Sequence, residues 1–136
     1  MKRRKSREYA LQMLFQLDFT EKKINGKDFE DFWSDKKEDM DIRQFTEELV
    51  KGTLMHLDEI NRKIESATEN WILERMAVVD RAILRFAAFE ILYRKDIPSA
   101  VTINEALEIA KKFSSSEAAP FLNGILDRLA KDVGKV

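Results

Sequence analysis

Between residues 78 and 92 the chain reads Val78-Val79-Asp80-Arg81-Ala82-Ile83-Leu84-Arg85-Phe86-Ala87-Ala88-Phe89-Glu90-Ile91-Leu92. Val78, Val79, Ile83, Leu84, Ala87, Ala88, Ile91 and Leu92 recur at three- and four-residue intervals, the spacing of one helix. A helix this rich in apolar residues is a buried one, so the rest of the chain has to cover it. Its charges are therefore conspicuous. Arg81 and Arg85 lie one turn apart, Asp80 precedes them, and Glu90 falls among Ala87, Ala88, Phe89 and Ile91. Charges so close to a buried stripe have to be paired, lie at a surface seam or meet a partner. Asp96-Ile97-Pro98 closes the helix, because the residue before a proline is pushed out of the helical region.

Outward from this segment the helical period persists. Thr102-Ile103-Asn104-Glu105 has the form of a capping box and predicts a helix from there to Phe113. Ser114-Ser115-Ser116 reads as a loop. A last helix is expected from about Pro120 to Asp132, with Pro120 tolerated in its first turn and Leu122, Ile125, Leu126 and Leu129 as its core stripe. Asn123-Gly124 falls inside that helix, where glycine costs about 1 kcal/mol against alanine. It implies close approach by another helix or by a ligand backbone.

Toward the N-terminus, Ala10, Met13, Leu14 and Leu17 form one stripe of a helix from Ser6 to about Thr20, with Leu11, Phe15 and Phe19 on a flank. Residues 24–41 are looser and acidic, with Phe29, Phe32 and Trp33 anchoring one short helix after the Asn25-Gly26 turn. Ile42, Phe45, Leu49, Val50, Leu54 and Leu57 continue the helical spacing. Ile60, Ile64 and Ala67 belong to a further helix capped by Asp58, and Trp71-Ile72 begins a break. The expectation is an all-α bundle of six or seven short helices. It spans residues 1–136 as one domain, with subbundles at roughly 1–70 and 71–136.

Composition agrees. Four glycines and two prolines in 136 residues are too few for a turn-rich β-sandwich or barrel. The absence of cysteine excludes disulfides, thiolate chemistry and cysteine-bound metal. The single histidine, His56, leaves no His-rich metal site and reads as a helix-surface or core-edge residue. Gly26, Gly52, Gly124 and Gly134 are scattered, so no phosphate loop exists. Glu38-Asp39 and Glu47-Glu48 read as solvated helix faces rather than catalytic pairs. Neither an enzyme nor a cofactor is implied. No uninterrupted apolar run exceeds the four residues of Phe86-Ala87-Ala88-Phe89, whereas a membrane span needs about 20. The basic start is not followed by the apolar stretch of a signal peptide, and a cytoplasmic protein is expected.

Net charge is only −1, but its distribution is uneven. Residues 2–8 hold Lys2, Arg3, Arg4, Lys5 and Arg7 against Glu8, a local +4. Residues 28–41 hold seven acids against two lysines, a local −5. A basic arm leading into a helix can hold phosphates, and Phe15 and Phe19 beside it can stack unpaired bases. Self-repulsion predicts that the arm is disordered until an anion binds. At a helix N-terminus its cations also oppose the macrodipole, with no evident structural return.

Four segments, in order, resemble one family. They are Arg7-Glu8-x-Ala10-x-Gln12-x-Leu14-Phe15; Trp71-x-x-x-Arg75-Met76-x-x-Val79-Asp80-Arg81-x-Ile83-Leu84-Arg85-x-Ala87-x-x-Glu90; Asp96-Ile97-Pro98-x-x-Val101-Thr102-Ile103-Asn104-Glu105-Ala106-x-Glu108-x-Ala110-Lys111-Lys112-Phe113; and Phe121-Leu122-Asn123-Gly124-Ile125-Leu126-Asp127. Together they look like NusB, the bacterial transcription antitermination factor family. The resemblance implies two helical subbundles and no catalysis. It also implies binding of single-stranded boxA RNA in nascent ribosomal transcripts together with NusE, the small-subunit ribosomal protein. That complex joins other Nus factors on RNA polymerase to suppress termination.

By position, Lys2, Arg3, Arg4, Lys5 and Arg7 would then hold RNA phosphates. Gln12, Phe15, Glu117 and Phe121 would face bases or the RNA–NusE seam, with Phe121 as a stacking platform. Asp80 would lie on the NusE surface. Some family members form homodimers through the same surface. Two departures stand out: Pro120 replaces a common lysine, and Ser114 a common glycine. Two other readings remain open. One is the RNA-binding module of a longer ribosomal RNA methyltransferase. The other is a helical protein–protein adaptor without specific RNA binding.

Overall fold

The computed structural model describes residues 2–20, 24–68 and 73–135, of residues 19 and 20 only the backbone. It is all-helical. The helices are α1 (Lys2–Thr20), α2 (Gly26–Trp33), α3 (Met40–Met55), α4 (Leu57–Thr68), α5 (Val78–Tyr93), α6 (Ser99–Phe113) and α7 (Ala118–Asp132), with a single 3₁₀ turn at Leu73–Arg75 before α5. No helix among the described residues is long and apolar enough to cross a membrane. The expected break at Trp71-Ile72 lies outside the described residues, as does the Phe19 side chain.

α5 is the axis of the molecule, in contact with α1, α3, α4, α6 and α7. Ala82, Ile83, Leu84, Phe86, Ala87, Ala88, Phe89, Glu90 and Ile91 are all buried, so the helix is enclosed on every side. Burying a leucine or phenylalanine fully contributes about 1.5–3 kcal/mol, and Ile83, Leu84, Phe86, Ile60, Ile64, Leu122 and Leu126 are each wholly enclosed. α3 comes unusually close. A Cβ on Gly52 would come within 2.2 Å of the Phe89 ring atoms, so this glycine sets the α3–α5 approach. Gly124 does not have that role: it is exposed, and nothing lies within 4 Å of where its Cβ would be. The expectation of tight packing at Gly124 is corrected, and that function belongs to Gly52.

Three expected helix starts move. α1 begins at Lys2 rather than Ser6, so the basic arm is helical rather than disordered. α4 begins at Leu57, which puts Asp58 in its first turn instead of at the cap. The reason is that α3 and α4 meet at the single residue His56, whose N–H still donates to Gly52 O while its own carbonyl accepts from Ile60 N. His56 stacks on Tyr93 with ring centroids 4.0 Å apart. α6 opens at Ser99, behind Pro98 in an extended conformation (φ −60°, ψ 142°). The Thr102–Glu105 capping box does not form, because both side chains have distant partners. The capping box in the structure is at Asn25, whose Oδ1 accepts from Asp28 N while Asp28 Oδ2 accepts from Asn25 N.

The chain closes with a Schellman turn. Gly134 (φ +73°) takes the left-handed conformation that glycine adopts without strain. Its N–H donates to Lys131 O, and Lys135 N–H donates to Ala130 O at 2.8 Å. Lys135 Nζ then reaches back to the end of α5, donating to Glu90 O at 3.1 Å and Arg94 O at 2.8 Å.

Candidate nucleic-acid interface

The first turns of α1 hold their cations against carboxylates from four other parts of the chain. Arg7 is buried and makes a bidentate pair with the equally buried Glu90, Nε to Oε2 at 2.7 Å and Nη2 to Oε1 at 2.8 Å. Thr102 Oγ1 donates to the same Glu90 Oε1 at 2.8 Å. Arg4 pairs bidentately with Glu105, with Nε 3.0 Å from Oε1. That bond holds the Glu105 carboxyl below the usual carboxylate range. Lys5 pairs with Glu38, which also accepts from Tyr9 Oη at 2.6 Å. Lys2 reaches Asp39 at 3.3 Å and Asp41 at 3.7 Å. Arg3 lies 4.0 Å from Asp96 and over the Phe45 ring, 4.4 Å from its centroid.

This explains why the arm is ordered. Five like charges repel one another, but each meets an opposite charge brought in by the tertiary fold. The arm therefore has the structural return that its sequence hides. It also divides in two. Arg7 is enclosed and offers no surface to a polyanion, and Arg4 is half-buried. Lys2, Arg3 and Lys5 are exposed, with 61%, 53% and 53% of their side chains open to solvent.

The other candidate residues lie farther along α1, on α7 and at the start of α5. Two ion pairs link α1 to α6: Arg4 meets Glu105, and Glu8 meets Lys112 Nζ at 3.3 Å. Gln12 and Phe15 continue the Arg4–Glu8 stripe of α1 one and two turns on. At 1.5 Å per residue, Phe15 lies about 18 Å along the axis from Arg3. Gln12 is exposed and Phe15 half-buried. In the α6–α7 turn Ser114 Oγ donates to Asp80 Oδ1 at 2.5 Å, which ties the turn to the start of α5. Glu117 is exposed at the N-cap of α7 without making a side-chain cap bond, and Phe121 packs half-buried against the core. Farther down the seam, Arg81 Nε donates to Asp18 Oδ2 at 2.7 Å, and Arg85 Nε donates to Asn61 Oδ1 at 3.1 Å. The charges expected to need pairing are thus paired.

The sequence reading left Glu90 without a named partner and assigned Glu105 a capping role, and the reading of Glu38-Asp39 as a solvated helix face is corrected at Glu38, whose side chain is nearly buried between Lys5 and Tyr9. One signal pointed to part of this: the +4 arm and the −5 segment at 28–41 are complementary, and the fold joins them. No group of three or more His, Cys, Asp or Glu among the described residues is arranged to hold a metal.

The enclosed central helix and the charged α1 seam define an all-helical protein whose distinctive chemistry lies on a surface. A family model described as the NusB family matches residues 4–131, and the chain belongs to that family. It is 49% identical to "Transcription antitermination protein NusB" from Thermodesulfovibrio yellowstonii, over 97% of this chain and 93% of the relative. Among solved structures it is similar to Thermotoga maritima NusB, with 38% identity, a TM-score of 0.86, and coverage of 96% of this chain and 91% of that one. It also shares the fold of a chain in a crystal of antitermination factors NusB and NusE in complex with double-stranded RNA. That match has 23% identity and a TM-score of 0.86, and covers 96% of this chain and 97% of the other.

Proposed function

We propose that this protein binds the single-stranded boxA element of nascent ribosomal transcripts together with NusE, in the cytoplasm. The complex then joins other Nus factors on RNA polymerase and suppresses premature termination. The observation that carries the reading is the 49% identity, over nearly the whole chain, to a protein named for transcription antitermination. The geometry supports a division of labour. Lys2, Arg3 and Lys5 take phosphates from water-exposed positions, with Arg4 at their rim. Arg7, locked to Glu90, positions the arm instead of touching RNA. Gln12, Phe15, Glu117 and Phe121 meet bases, which when splayed can be stacked and hydrogen-bonded. Asp80, anchored by Ser114, serves the NusE contact.

A second reading is a protein–protein adaptor without specific RNA binding. One observation favours it: the cations of the arm already have carboxylate partners within the chain. The deciding experiment measures a boxA RNA against a scrambled RNA, with and without NusE, at two salt concentrations. Preference for boxA that tightens with NusE is expected. Equal binding to both strands, or none with NusE present, would transfer the function to the adaptor reading.

A further inference from the structure

Glu38, Asp39 and Asp41, between the end of α2 and the first turn of α3, are the carboxylates that face Lys2 and Lys5, two of the three exposed cations of the arm; the third, Arg3, faces Asp96. The carboxylates of this turn are of two kinds. The Glu38 side chain is only 8% exposed and is fixed by the Tyr9 hydroxyl. Asp39 and Asp41 are 64% and 79% exposed, and the Lys2 ammonium they share is itself largely in water. Asp39 caps α3 without a side-chain cap bond, so its carboxylate has no competing duty there.

We propose that this turn is an internal competitor for the RNA-binding arm. Glu38, anchored by Tyr9 and paired with Lys5, holds the turn in place. Asp39 and Asp41 then occupy Lys2 as a phosphate would. RNA binding becomes an exchange of carboxylates for phosphates, which favours strands that offer further contacts beyond charge. The inference rests on the RNA-binding reading above. It has its own signature, because salt weakens the internal pairs as well as the RNA contacts and so flattens the salt dependence of binding.

The test compares the native chain with D39N/D41N and with D31N/D58N. Asp31 and Asp58 are also exposed, so the second variant changes net charge equally away from the arm. Each is titrated with boxA RNA and with scrambled RNA from low to moderate salt, after thermal melts establish folding. D39N/D41N is expected to bind both strands about two- to five-fold tighter at low salt, the range of one exposed ion pair. The gain should shrink as salt rises and vanish in a Lys2→Ala background. Equal tightening by D31N/D58N, or no tightening by D39N/D41N, would overturn the competitor. Native protein that does not prefer boxA over scrambled RNA would overturn the boxA reading alone, because the competitor is scored on the scrambled strand as well. Failure of every variant to bind either strand would overturn both.

Discussion

Replacing Arg7 by methionine removes the one guanidinium that compensates Glu90 inside the core. Arg7 is 2% exposed and Glu90 0%, so neither charge can turn to water. In the variant Glu90 keeps the Thr102 hydroxyl at 2.8 Å but loses both arginine bonds, at 2.7 and 2.8 Å. Breaking a buried pair from one side costs about 3–5 kcal/mol. For a chain of this length that is a fall in melting temperature of about 10–20 °C. Removing both charges is less harmful than removing one, because an apolar pair of similar volume can match a buried ion pair. The double variant Arg7→Met/Glu90→Leu should therefore recover part of the loss. Urea and thermal unfolding of the two single variants and the double variant complete a double-mutant cycle. A loss below about 1 kcal/mol for Arg7→Met, the range of an exposed pair, would refute the reasoning. So would a double variant whose loss is the sum of the two single losses.

Three further outcomes follow from other parts of the molecule. Gly52→Ala puts a methyl group against the Phe89 ring and should cost about 1–3 kcal/mol by overpacking, whereas Gly124→Ala enters open space and should gain up to about 1 kcal/mol; denaturant midpoints that reverse this order would contradict the assigned glycine roles. Phe121→Ala should weaken RNA binding by about 1–3 kcal/mol if the ring stacks a base; unchanged affinity per folded molecule would return Phe121 to a packing role. The Arg94 fork holds the Asp96 carboxyl down at about 2. A carboxyl depressed in the folded state contributes stability above its ordinary range that is lost as pH falls through that range toward 2, so Asp96→Asn should flatten the acid limb of the stability curve there. An unchanged limb would remove the pair from the account of acid stability.

α5 was legible in the sequence because its signal is local. An apolar stripe at helical spacing over fifteen residues leaves no other period, and enclosure follows from composition. The arm was not legible for the opposite reason. Its repulsion is local, but its partners lie 101 residues away in Glu105, 83 in Glu90 and 33 in Glu38, where only the fold can place them. The Thr102–Glu105 motif failed in the same way. Its spacing fits a cap, yet Thr102 serves Glu90 in a buried bond and Glu105 serves Arg4 in a bidentate ion pair, and these outweigh a cap worth about 1 kcal/mol. The two helical glycines look alike along the chain, and only the direction in which each faces separates Gly52 from Gly124. The family motif pointed to Phe121 and Asp80 as candidates, while the bond from Ser114 that fixes Asp80 has no sequence signature.

The Arg7–Glu90 pair also bears on the order in which the protein can come into being. Synthesis proceeds from the N-terminus at about 5–20 residues per second, so α1 is made about 4–17 s before Glu90 is added. Throughout that interval Arg7 has no counter-charge in the core, and the basic helix is the part of the nascent chain most open to any polyanion nearby. Tertiary closure of α1 waits for α5, and Thr102 and Lys135, which also bond to Glu90, arrive later still. The basic segment proposed to meet RNA is thus made well before the residue that locks it to the core.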